Sequence, residues 1–409
     1  MKIKIFIILT VLFFLVSADV AKACEDRFWE VQSIDTMKYS RDLAREKLKD
    51  PYFKEIIEEQ VEEIAETGAT HVAIGTPYDV EFLPYIKVWV ELARANNLKV
   101  WYRGNISGWE GWFNYPLITP EEHVRKVVQF IKVNPELFED GDIFSSCPEC
   151  ENGVIGDPRS EVSVEDFRSF IVKEYSEVKK AFKDIDKDVK ANYFSMNADV
   201  AYLVMDEDTT DALDGLVTVD HYIKDPKKYG VDIKRLVSRS GGNIVIGEFG
   251  APIPDIHGSM SEEKQSEWID LALSEMVNDD VVGVNYWTYT SSSTGIWTEG
   301  NRAKHAIEVV DKYFRPRKIV IKVENELGKV IKNARASLGA KTFSVNEDGI
   351  ISILLYDDDN LVDITSENYK TQTFKSGDLT EGQVIVLIKE KENIFFRIGK
   401  FFVKTFINN

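Results

Sequence analysis

Cysteine and histidine are scarce in this chain: three and five among 409 residues. The histidines are scattered and only two cysteines lie close together, so no ligand set with the spacing of a metal site can be assembled. No G-x-G-x-x-G follows the first strand-like run, which disfavours a dinucleotide-binding fold, and no calcium or nucleotide motif is present. The expectation is therefore no metal and no cofactor. Cations are in deficit too, 50 lysines and arginines against 69 aspartates and glutamates. A net charge of -19 repels phosphate backbones and anionic lipid, so nucleic acid is not an expected partner.

What is present is an ordinary globular composition, 44% hydrophobic and 29% charged, enough for a sizeable core. The start, "MKIKIFIILTVLFFLVSADVAKA", has two lysines, an apolar run from Ile5 to Val16 and an Ala21-x-Ala23 pair. This is the pattern of a secretory signal over residues 1–23, cleaved before Cys24. The run is shorter than the roughly 20 residues of a membrane span, which argues against an uncleaved anchor. Lipidation of Cys24 is weakened by Lys22, which stands where a small residue is normal. The protein is thus expected outside the cell or at its surface. In an oxidising compartment Cys147 and Cys150 can pair, leaving Cys24 odd.

From residue 24 to 315, short apolar runs alternate with amphipathic segments. The strand candidates are "FWEVQSI", "THVAIG", "LKVWYRG", "DIFSSCPE", "VKANYFS", "LDGLVTVDHY", "NIVIGEFG" and "VVGVNYWTY". Strands alternating with helices in this way predict an α/β fold, a (β/α)₈ TIM barrel of parallel strands. Residues 316–390 switch to alternating runs divided by "ELGK" and "NEDG", predicting a small all-β sandwich. In the tail, 391–409, Ile394, Phe395, Ile398, Phe402 and Phe406 fall near one helical face with Arg397, Lys400 and Lys404 outside it. Such a helix suits peripheral membrane contact or packing on its own sandwich.

In a barrel of this kind chemistry sits where strands end. Candidate strand seven, "NIVIGEFGAP", ends in Glu248 flanked by Gly247 and Gly250, and an acid ending a buried strand must be paired, solvated or held for a purpose. Strand four runs into "SSCPECENG". If it stays extended, residues 145, 147, 149 and 151 share a face, and Glu149 is the first acid past the strand, with Glu151 the alternative. Carboxyls on strands four and seven face each other across a barrel mouth. Two such acids can divide glycoside cleavage, one protonating the leaving oxygen and the other attacking or activating water. A substrate wall is supplied by other strand ends: Arg103, Asn105, Trp109 and Trp112 after strand three, Asp220, His221 and Tyr222 after strand six, Asn285 and Trp287 on strand eight. Sugar rings stack on indole while their hydroxyls seek polar partners, so a carbohydrate is the expected partner. Trp101 reads as core.

With these residues in view, "VIGEFG" and the acids on strands four and seven resemble clan A of the glycoside hydrolases, most closely the family 5 cellulases and mannanases. The resemblance implies a retaining mechanism with Glu248 as nucleophile and a strand-four glutamate as acid/base. It also implies that a histidine and a tyrosine on strand six contact substrate and nucleophile, and it favours Trp287 as the sugar platform. Two departures stand out: the clan usually has Asn directly before its acid/base, where this chain has Pro148 or Cys150. The clan's His and Tyr are separated by one residue, whereas His221 and Tyr222 are adjacent. The run "VENELGKVIKNARASLGAKTFSVNEDGIISILLY" resembles carboxypeptidase regulatory-like sandwich modules, which implies an accessory rather than a second active site. Two other readings compete. A glycan-binding protein on a glycosidase-like barrel would bind sugar without turnover. A redox protein would use Cys147-x-x-Cys150, but the neighbouring glutamates disfavour thiolate.

Overall fold

The computed structural model describes residues 26–390. The expected signal segment, Cys24 and the aromatic tail lie outside the described residues. The chain divides between Arg315 and Pro316 into two compact units. Among the described residues no helix is long and apolar enough to cross a membrane.

The first unit is built on eight strands: β1 (Val31–Asp35), β2 (His71–Ile74), β3 (Lys99–Tyr102), β4 (Ile143–Phe144), β5 (Ser195–Asn197), β6 (Leu216–Asp220), β7 (Asn243–Phe249) and β8 (Val281–Tyr286). They form one parallel curled sheet in the order β4-β3-β2-β1-β8-β7-β6-β5. Beyond the two outer strands, Ile143 bridges in parallel to Lys190, and Phe144 N donates to Lys190 O at 2.9 Å. One buried cluster takes Val31, Ala73, Trp101, Ile143, Leu216 and Val245 from six strands, Tyr193 from the approach to β5, and Val282 of β8 at its margin. A sheet covered on both faces needs apolar side chains pointing both ways, and "HVAI" and "LVTVD" are buried at every position.

Helices between the strands are amphipathic, and several start at the caps their sequences encode. Thr119 accepts from Glu122 N at 3.2 Å ahead of Pro120–Val133, and Ser163 accepts from Asp166 N at 3.1 Å ahead of Val164–Asp184. Helix Tyr229–Ser240 stops at Gly241, whose φ of 68° is left-handed.

Strand four differs from the expectation. It ends at Phe144, so residues 145, 147, 149 and 151 do not share the face of a strand. Cys147 and Cys150 are joined in a disulfide with Cα atoms 5.1 Å apart. Residues three apart in a strand stand about 10 Å apart, so the bridge imposes a turn. Glu149 sits at its apex with φ 47° and ψ 51°.

The second unit holds a four-stranded sheet of β10 (Arg335–Leu338), β11 (Lys341–Ser344), β13 (Leu361–Thr365) and β14 (Gln372–Lys375), in the order β11-β10-β13-β14. A three-stranded sheet is formed by β9 (Arg317–Asn325), β12 (Ile350–Leu355) and β15 (Gln383–Leu387), in the order β12-β9-β15. Alternation decides which side chains are inside: Ile319, Ile321 and Val323 of β9 are buried while their neighbours are not. Strand β14 was not expected from the sequence, because three of the four residues of "QTFK" are polar and it carries no apolar alternation.

Candidate active site

The ends of β1, β3, β6, β7 and β8 bring one cation and several acids together. Arg103, which follows β3, is wholly buried. Its Nη1 donates to Asp35 Oδ2 at 2.7 Å and to Glu248 Oε1 at 2.8 Å, while Nη2 donates to Ser195 Oγ at 3.2 Å and lies 3.5 Å from Asp220 Oδ1. A buried guanidinium is tolerable only if its charge is answered, and the facing acids hold it protonated even though burial opposes the charge.

Glu248 ends β7 almost fully buried. Its other oxygen accepts from the Tyr222 hydroxyl at 2.7 Å. Burial and the neighbouring Glu248 charge raise the Tyr222 phenol far above its ordinary range, so it remains a donor. The glycines beside Glu248 make room. A Cβ on Gly247 would stand 2.6 Å from Asp220 Oδ1, and one on Gly250 would stand 2.3 Å from Trp287 O.

Glu149 is partly exposed at the tip of the disulfide turn, with its N–H donating to Ser195 O at 2.8 Å. Burial first, then the Glu248 and Glu151 charges, push its carboxyl up to about 8. Glu151 is differently placed. Its Oε1 accepts from Asn197 N at 2.8 Å and Asn197 Nδ2 at 3.1 Å, and burial raises its pKa against those donors. The two glutamates left open by the sequence are thus separated by environment: Glu151 is tied to β5, while Glu149 feels Glu248.

The other expected residues divide. Tyr222 turns to Glu248, whereas adjacent His221 turns away, its Nε2 lying 3.1 Å from Asp232 Oδ2. Burial lowers the His221 pKa. Asn285 is fully buried, donating to Asp35 Oδ2 at 3.2 Å and Gly247 O at 2.8 Å, so it braces the site from beneath. Asn105 is buried, its Oδ1 accepting from Ile106 N at 3.0 Å. Trp287 is partly exposed, edge-on to Tyr222 with centroids 6.1 Å apart, and Lys38 Nζ stands 5.4 Å from its ring. Trp112 is partly exposed beneath Arg41, 4.7 Å from the ring.

Trp109 is a correction to the expected sugar-facing wall. It is fully buried, stacked on Phe170 with centroids 5.4 Å apart, and a Cβ on Gly153 would fall 1.8 Å from its Nε1. The turn Ser107–Trp109 tucks the indole under the loop after β4. Trp101 is buried in the core and donates to Ser145 Oγ at 2.9 Å. Trp297 is buried too, stacked on Tyr289 with centroids 4.4 Å apart.

Three residues of the site were not picked out in the sequence. Asp35 and Ser195 lie on β1 and β5, and Asp35 carries the same signal as Glu248, an acid ending a buried strand. Glu110 stands beside Trp112, and burial lifts it to about 7. Behind the turn, ligand atoms of His123, Cys147 and Glu174 lie within 4.8 Å of one another. Cys147 is committed to its disulfide and His123 Nε2 is 3.1 Å from Glu174 Oε1, so the group reads as a buried polar pair under the bridge.

No protein-family model matches the chain, and no curated protein matches it. Solved structures with a related backbone include a β-D-glucuronidase of Dictyoglomus thermophilum, at 15% identity and a TM-score of 0.45, covering 70% of this chain and 50% of that one. An FMN-binding β-glucuronidase from Facaelibacterium prausnitzii L2-6 gives 11% and 0.46, covering 87% and 56%. Bacteroides uniformis β-glucuronidase 2, covalently bound to cyclophellitol-6-carboxylate aziridine, gives 10% and 0.45, covering 81% and 44%. The chain spans about half the length of these proteins. Similarity at this level leaves the reading of the site to its own side chains.

Proposed function

We propose that the first unit is a closed (β/α)₈ barrel of the clan A glycoside hydrolase type. In this reading it cleaves a β-linked poly- or oligosaccharide with retention, on an exported protein whose second unit is an accessory module. The observation that carries this reading is the contrast between two acids. Glu248 accepts from Arg103 and Tyr222, donors that favour a carboxylate, while Glu149 is pushed up to about 8 by burial and by the Glu248 charge.

Glu248 is then the nucleophile and Glu149 the proton donor. Near neutral pH Glu149 carries the proton that the leaving oxygen needs. Once Glu248 is esterified by the sugar its charge is gone, and the second cause of the Glu149 shift goes with it. Glu149 becomes more acidic and can take a proton from the attacking water. The pair is therefore self-switching through one electrostatic coupling. Trp287 offers the stacking face, and Glu110 and Trp112 lie on the side of the mouth reached from β3.

The test is release of reducing sugar from β-glucans, mannans, xylans, β-glucuronides and host-type glycans. Wild type is compared with Glu248→Ala, Glu149→Ala and Glu151→Ala, with the anomer of the first product read by proton NMR. Cleavage abolished in the Glu248 and Glu149 variants, with a retained anomer, supports the reading. Loss in the Glu151 variant but not in Glu149→Ala moves the donor to Glu151. Binding of a glycan with no turnover on any of them favours the binding protein instead.

A further inference from the structure

Four carboxyl groups, Asp35, Asp220, Glu149 and Glu248, interact electrostatically with a single cation, Arg103. If all four were ionised the site would hold a net charge of about -3 in a buried space, which is untenable without further donors. Hydrogen bonds show where charge can be kept. Asp35 receives Arg103, Asn285 and, at 2.6 Å, the N–H of Met37; Glu248 receives Arg103 and Tyr222.

Asp220, at the end of β6, receives nothing: both of its buried oxygens lack a hydrogen-bond partner among the described residues. Arg103 Nη2 donates to Ser195 and reaches Oδ1 only as an ion pair at 3.5 Å, and the Ser195 hydroxyl beside Asp220 favours its charge less than burial and the Glu248 charge oppose it. Gly247 leaves space for the Asp220 carboxyl, since a Cβ there would sit 2.6 Å from Oδ1. The fold thus accommodates this carboxyl without solvating its charge.

We propose that Asp220 keeps its proton in the folded site and acts as a neutral positioning residue. In that state it leaves Arg103 to Glu248 and Asp35, and presents an O–H to a hydroxyl oxygen. An ionised Asp220 would compete for Arg103 and add a third charge beside Glu248. The groups facing it from the surrounding elements are Arg103, Glu149, Ser195, Tyr222 and Glu248, and Arg103 is the only cation among them. Burial and the Glu248 charge act in the same direction, raising its pKa well above the ordinary range. The catalytic consequence rests on the glycosidase reading; the protonation itself does not.

Infrared difference spectroscopy of the full chain, with and without ¹³C-carboxyl aspartate, tests the protonation. A protonated-carboxyl carbonyl band should persist from about pH 5 to 7, well above an ordinary Asp pKa, shift with the label and disappear in Asp220→Asn. Absence of such a band in wild type, or its survival in the variant, overturns the proposal whatever the enzyme does. On a glycan that is cleaved, Asp220→Asn copies the neutral acid. It should lose less kcat/KM than Asp220→Ala and leave both pH limbs in place. Circular dichroism checks that both variants fold. A folded Asp220→Asn that loses about a hundredfold, or moves a limb by about a pH unit, would refute the neutral role. If no glycan is cleaved, the infrared arm still decides.

Discussion

Neutralising Glu248 should lower the pKa of Glu149, and the size of the change is calculable. Glu149 titrates at about 8 because of burial and the Glu248 charge, in that order. A retaining pair places its carboxyls about 5.5 Å apart, where a unit charge at an effective dielectric near 20 costs about 3 kcal/mol. Divided by 1.36 kcal/mol per unit, that is about two pKa units. Glu248→Gln should therefore bring Glu149 from about 8 to about 6, leaving the part due to burial in place. The assay is ¹³C NMR of labelled glutamate carboxyls over a pH series. The Glu149 signal is identified by its loss in Glu149→Gln, and Glu151 serves as an internal control. A Glu149 that still titrates near 8 in Glu248→Gln would show that burial alone raises it, and the proposed switch between acid and base would fail.

Tyr222→Phe removes one donor to Glu248 and should cost about 1.5–3 kcal/mol of transition-state stabilisation, read as a ten- to hundredfold drop in kcat on whichever glycan is cleaved. An unchanged kcat would remove the hydroxyl from the mechanism. Replacing Cys147 and Cys150 by serine opens a loop of only three residues' separation, so global stability should fall by about 2 kcal/mol, measured by urea unfolding. Activity should fall further than that, because the bridge holds the turn that presents Glu149. Equal activity in the reduced and oxidised protein would count against it. Buried His71, held between Thr70 Oγ1 and Gly141 O, has its pKa lowered to about 3 by desolvation. Its folded value lies below the unfolded 6.5, so the unfolded chain binds the extra proton and stability is lost as pH falls below 6.5. From pH 6.5 to 4.5, wild type should lose about 2 kcal/mol more than His71→Asn; equal losses would contradict the assignment.

Much of the first unit can be read from its residues because its strands are short, apolar and bounded by capped amphipathic helices. Burial on both faces leaves "HVAI" or "LVTVD" no other role. Glu248 was legible for the same reason, an acid standing where a buried strand ends, and Asp35 answers to the same rule. Trp109 was not legible, since an indole seven residues past the end of its strand serves the cleft or the core according to which way a turn folds. That turn depends on Gly153 in another loop.

Strand four makes the division clearest. Its sequence holds two glutamates and two cysteines, and by itself it determines that acids end this segment and that the cysteines can bridge. Tertiary structure alone decided that the strand stops at Phe144, that Glu149 stands at the apex of the turn, and that Glu151 is tied to Asn197. The same holds for charge. The residues set how many acids and arginines the chain carries, but which acid keeps a proton depends on donors brought from β1, β3, β5, β7 and β8. Local pattern specifies elements because propensity and burial act over a few residues. Protonation and catalytic role are set by groups far apart in the chain that meet only when the sheet curls.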